Sequence, residues 1–177
     1  GMANPIEDMD PLQLRQLAYH EAGHAVIQHY VQPDQRISRV SIIRRSSGAL
    51  GYMLPVDTVE TYTQPLRRIV ADIMVSLAGH TCVKVFMGEF WTGAYSDYNN
   101  ARDRLRHLAM LGFFGPPVGN VLAGTGGDVQ MSFNDQRVER IWLTLDEQVT
   151  RLLTQYADEV EGLVEALLEK KDLSSQE

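Results

Sequence analysis

The pentapeptide His20-Glu21-Ala22-Gly23-His24, inside the apolar-spaced stretch LAYHEAGHAVI, constrains this chain more than any other segment. Residues four apart on an α-helix project from one face, so a helix here sets two imidazoles side by side with a carboxylate next to the first. The flanks predict that helix. Asp10-Pro11 is a start signal, with the Asp10 carboxylate able to cap free N–H groups and proline tolerated in the first turn, and Pro33 stands just past the far end. A helix of about Pro11 to Val31 follows. Within it Leu17, His20, His24, Ile27 and Val31 recur at spacings of three and four, so both histidines share the apolar stripe and face inward. Gly23 in mid-helix is about 1 kcal/mol worse than alanine, which implies that something packs close to it.

Two imidazoles on an apolar face need partners, and a metal ion supplies one for each. Zinc suits imidazole nitrogen and lowers the pKa of bound water to about 7. Glu21, beside the first histidine, is then placed to act as the general base on that water. Such a site usually takes three protein ligands and keeps a fourth position open. Asp97, Asp103, Glu89, His80 and His107 are the options for the third. Asp97 is preferred, because it follows a Gly-rich turn at a predicted helix start, where backbone can approach closely. His29, five residues past His24, points to another face. His80 and His107 are auxiliary candidates or packed side chains, and Trp91 lines a pocket or packs. Trp142 is expected in the core, and the acids of YADEVEGLVEALLE on a solvated helix face.

The remaining pattern is mainly α-helical (α+β) with a small β-sheet. The stretches ISRVSIIRR and ALGYMLPV, joined by SSG, read as two strands and a turn. Helical spacing continues from about Gln64 to Phe86, and a third helix starts with Asp97 near its N-terminus. GFFGPPVGNVLAGTGGD is too rich in Gly and Pro for regular structure. From Asp135 to Tyr156 and from Val160 to Leu168 two amphipathic helices are expected, with Asp158 as a cap between them. With 177 residues one core is expected, dividing the chain into a tag scar and leader (1–10), a single domain (11–173) and a tail (174–177). A net charge of −7 disfavours nucleic acid as a partner. The lone Cys82 fits a reducing, cytoplasmic compartment. The apolar run Ile69 to Gly79 contains Asp72 and is about half the ~20 residues a spanning helix needs, so no direct membrane insertion is expected.

Several segments together resemble the peptidase domain of the FtsH-type membrane metalloproteases, in that family's order, over about Leu12 to Leu173. LAYHEAGHAVI resembles its zinc helix, RVSIIRRSSGALGYMLP its strand pair, LAGHTCVKVFMGEFWTGAYSD its second helix and third-ligand segment, and RLLTQYADEVEGLVEALLEKKDL its closing helices. The resemblance implies Zn2+ held by His20, His24 and Asp97, Glu21 as the catalytic glutamate, and the strand around Gly51, Tyr52, Met53 and Leu54 as the edge on which substrate polypeptide lies by β-addition. It implies a zinc metalloendopeptidase acting on unfolded or loosely folded polypeptide, served by a separate AAA+ ATPase or working as a homo-oligomer, and peripheral at a membrane through such partners. The alternative is a catalytically degenerate module that binds extended polypeptide or assembles with an ATPase or protease partner without cutting. Two features depart from the family. Where the family carries an arginine and a pair of glutamates in its second helix, this chain has His80, Val83 and Lys84. The ATPase module and membrane anchors of typical members do not fall within these 177 residues, and GTGGD lacks the GK[ST] ending of a phosphate-binding loop.

Overall fold

A computed structural model describes residues 9–43, 52–56, 63–115 and 127–176, with backbone alone at 52–56 and 127–133. Along these residues run α1 (Pro11–Val31), β1 (Arg36–Ser41), β2 (Tyr52–Val56), α2 (Leu66–Met87), α3 (Tyr95–Met110), α4 (Gly127–Gln155), α5 (Ala157–Lys170) and β3 (Asp172–Ser174). The fold is mainly helical with a small sheet, as the sequence predicts.

The first helix has the expected ends but not the expected surroundings. Pro11 occupies the first turn and the Asp10 carbonyl accepts from the Leu14 amide at 3.0 Å, whereas the Asp10 side chain makes no capping bond. Leu17 to Tyr19 and Glu21 to Gln28 are all buried, so the helix is covered all round rather than along one stripe. That is the mark of a central helix. Its closest neighbour is α2. A side-chain carbon on Gly23 would fall 2.5 Å from the Ala78 carbonyl oxygen and 2.5 Å from Cys82 Cβ. The close packing expected at Gly23 is therefore a backbone-to-backbone crossing of α1 and α2.

The second helix is 22 residues long, twice the apolar run read from sequence, and by length and composition it could cross a membrane. Here its apolar surface is spent on the protein interior. It packs on α1, α3 and α4, with Ile73, Leu77, Ala78, Cys82 and Val83 fully buried. Its one acid in that run, Asp72, accepts hydrogen bonds from Gln32, just past the end of α1, and from Arg104 of α3.

The fourth helix starts at Gly127, upstream of the expected Asp135, because nothing in the intervening residues stops a helix. Asp158 lies inside the first turn of α5, and the N-cap is Tyr156 without a side-chain bond. An acid there faces the positive helix end. The acidic run is more than a solvated face, since Glu161 accepts from the buried Tyr19 hydroxyl at 2.8 Å and Glu159 from Tyr30 at 2.5 Å. These bonds tie α5 to α1. The sheet has the antiparallel order β2-β1-β3, with Ser41 facing Tyr52 on one side and Asp172 on the other. The strand β3 has no signature in the sequence, being three residues that follow a left-handed turn at Lys171. Arg39 of β1 holds it through a paired contact with Asp172, Nε to Oδ1 at 2.6 Å. The order leaves β2 on an edge, consistent with Pro55 in a strand that can spare an N–H. The Ser46-Ser47-Gly48 turn and Gly51 lie outside the described residues.

Two outcomes follow. Gly23→Ala is expected to lower unfolding free energy by about 1–3 kcal/mol through overpacking, read from the denaturant midpoint. The ~1 kcal/mol gain that helix propensity alone predicts would contradict the close crossing. The Arg39 guanidinium holds the Asp172 carboxyl below its usual value against a weaker effect of burial. A depressed folded-state value stabilises above the unfolded carboxylate range and is lost as pH falls through the folded value. The melting-temperature gap between wild type and Asp172→Asn is thus expected to be widest near neutral pH and to close below about pH 4. A gap independent of pH would contradict it.

Candidate metal centre

Three side chains from two helices converge beside the α1–α2 crossing. His20 Nε2 lies 3.1 Å and His24 Nε2 3.3 Å from Asp97 Oδ2, and the two imidazole nitrogens are 3.0 Å apart. The histidines come from the middle of α1 and Asp97 from the first turn of α3, where a carboxylate also meets the positive helix end. Of the five third-ligand options only Asp97 joins the pair among the described residues. Asp103, Glu89 and His107 are exposed, and His80 packs behind the cluster.

Hydrogen-bond chemistry says what this arrangement lacks. His24 Nδ1 is 2.7 Å from the Val75 carbonyl, which can only accept, so Nδ1 carries the hydrogen and a neutral His24 presents a lone pair at Nε2. That lone pair faces the Asp97 carboxylate and a second imidazole nitrogen. Two acceptors, His24 Nε2 and the Asp97 carboxylate, meet His20 Nε2 at this spacing, and either a hydrogen on that nitrogen or a shared metal ion reconciles them. A tetrahedral ion with bonds of about 2.0–2.1 Å sets its ligands roughly 3.3–3.4 Å apart, close to the spacings here. The donor set fits zinc.

The proton affinities within the cluster shift in different directions. Burial alone would raise the Asp97 carboxyl, but its close contacts with both imidazole rings hold it well below the usual carboxylate range. Burial lowers the proton affinity of His20. At His24 burial acts the same way, yet the Asp97 hydrogen bond and the Glu21 and Asp97 charges outweigh it and raise the value. Glu21 is 5% exposed, and burial pushes its carboxyl up to about 7 against the pull of His24.

Sequence reasoning missed the residue that seats the histidines. A side-chain carbon on Gly79 would lie 2.5 Å from His24 Nε2 and 2.6 Å from His20 Cε1, so α2 presents bare backbone to both rings. The signal was available, since Gly79, like Gly23, is a glycine in a helix interior. The Val75 carbonyl leaves no such signal. His29 is exposed, as expected, edge-on to Tyr30. Trp91 and Trp142 are half-buried against the core. Val83 is fully buried in apolar surroundings, and Lys84 is exposed with its ammonium 4.9 Å over the Phe90 ring. A groove of about 610 Å³ between α1, α5 and the sheet contains none of the cluster residues.

A helical domain with a two-histidine helix, an adjoining buried glutamate and a carboxylate from a second helix defines a candidate metallohydrolase centre. The sequence pattern of Peptidase family M41 matches residues 8–177, and the chain belongs to that family. It is 27% identical to the ATP-dependent zinc metalloprotease FtsH of Helicobacter pylori over 99% of this chain and 30% of that protein. To proteins of the same description it is 30% identical in Thermus thermophilus (98% and 27% covered) and 26% in Thermotoga maritima (100% and 32%). The chain thus spans about a third of the length of these curated relatives.

Gly79→Ala is expected to keep the helical fold and to weaken zinc binding by about tenfold or more, as displaced ligand supports do. A chelator-competition titration measures it, and unchanged affinity would contradict the seating role of Gly79.

Proposed function

We propose that this chain is a zinc-dependent endopeptidase domain, extending from about residue 11 to 173, that hydrolyses unfolded or loosely folded polypeptide. The observation that carries this reading is the convergence of His20, His24 and Asp97 beside the buried Glu21 in a member of family M41.

His20 and His24 through Nε2, with Asp97 through its carboxylate, would hold the zinc. Zinc, when bound, supplies Lewis-acid polarisation of the peptide carbonyl and a water made acidic enough to attack it near neutral pH. Glu21 would accept a proton at its carboxylate and release it to the departing amine, a task suited to a buried carboxyl of raised proton affinity. The Val75 carbonyl keeps His24 in the tautomer that leaves Nε2 free. Substrate lies extended along the edge strand, with Gly51, Tyr52, Met53 and Leu54 as the pairing segment, so main-chain bonds rather than side-chain identity secure it. The relatives are named ATP-dependent, and we assign delivery of substrate to an AAA+ ATPase, carried on the same polypeptide or a partner, in a homo-oligomeric assembly in the cytoplasm.

The test is cleavage of a labelled unfolded protein by zinc-loaded wild type and Glu21→Gln without ATP. The rate is expected to fall about 10²–10⁴-fold in the variant while zinc stoichiometry is unchanged. Zinc binding without cleavage by wild type would favour a module that captures polypeptide or depends on its ATPase. Equal cleavage by both proteins would remove Glu21 from the chemistry.

A further inference from the structure

The start of α3 carries Asp97 yet has no side-chain cap. The N-cap residue is Ala94, and the Tyr98 amide donates to the Ala94 carbonyl at 2.9 Å. Uncapped first turns fray, while Asp97 must stand within a few tenths of an ångström of one place to meet both histidines. Something other than a cap holds it. Tyr98, the next residue, sets its ring edge-on to His80 at 4.8 Å and edge-on to Trp142 at 5.0 Å. Edge-to-face contacts of this kind fix ring orientation as well as burying area. His80 is 8% exposed and stacks on Phe90 on another side, at 5.2 Å and 26°. It follows Gly79, the residue whose backbone touches both histidine rings. One turn of α2 therefore contacts both sides of the cluster: the imidazoles through Gly79 and the Asp97 helix through His80. The same turn is anchored to α4 by the Thr81 hydroxyl, which donates to Asp146 at 2.5 Å.

We propose that His80 and Tyr98 are positioning residues whose ring contact sets the Asp97 carboxylate against His20 and His24. This rests on the metal-site reading above and extends it to two residues outside the His20, His24 and Asp97 cluster. The ring of His80, rather than its charge, carries the effect.

The experiment measures zinc affinity by chelator competition, together with the visible spectrum of the Co(II)-loaded protein, for wild type, His80→Ala, His80→Phe and Tyr98→Leu. His80→Ala and Tyr98→Leu are expected to weaken zinc by about 10–100-fold, the range seen when a ligand's support is removed, and to alter the Co(II) bands. His80→Phe is expected to restore both. A purely structural role would lower the melting temperature and leave affinity and spectrum in place. Wild-type affinity in His80→Ala, or no recovery in His80→Phe, would overturn the proposal while leaving the metal site standing. If His80→Ala does not fold, Tyr98→Leu decides by the same readouts. Failure of wild type itself to bind zinc would instead overturn the metal reading, and this inference with it.

Discussion

The closeness of α1 and α2 is the constraint on which the rest of the structure depends. Two glycines, one on each helix, remove the side chains that would hold the backbones apart: Gly23 meets Ala78 and Cys82, and Gly79 meets the rings of His20 and His24. Dispersion and burial reward such contact only when packing is tight. The same closeness lets the Val75 carbonyl reach His24 Nδ1. Fold and site thus share one interface, and the orientation of the imidazoles is a property of the core rather than of a loop.

Around that interface the structure collects polar groups that an apolar core would reject if they were single. His20, His24 and Asp97 partner one another, while burial raises the proton affinity of Glu21 and lowers that of His20. Asp72, two turns before Gly79 on α2, is treated similarly, with Gln32 and Arg104 as its partners. Val83 shows the opposite solution. It sits fully buried in the apolar core, while two residues earlier the Thr81 hydroxyl meets an acid from α4, Asp146.

Much of this was legible in the sequence, for physical reasons that also mark the limit. The ends of α1 were readable because Pro11 and Pro33 act locally, and Gly23 because a glycine in a helix needs a reason. Asp97 was readable as a preference from its position after a Gly-rich turn. Periodicity, however, reports one face at a time, so it showed a stripe on α1 where the structure has burial all round. It could not show that Glu159 and Glu161 reach tyrosines about 130–140 residues away. Nor could it reveal β3, which exists because β1 offers an edge and Asp172 meets Arg39. The ring contacts of His80 were invisible for the same reason, since Phe90 and Tyr98 meet it, and Trp142 meets Tyr98, only after α2, α3 and α4 assemble.

The central claim is that one ion sits between α1 and the start of α3, held by two imidazoles and a carboxylate. Zinc K-edge X-ray absorption on the zinc-loaded protein tests it most directly, with Asp97→Ala as the comparison. The account predicts about one zinc per chain with two imidazole nitrogens and oxygen at about 2.0–2.1 Å, and a changed oxygen shell in the variant. Sulfur in the shell, fewer than two imidazoles, or a spectrum indifferent to loss of Asp97 would contradict it.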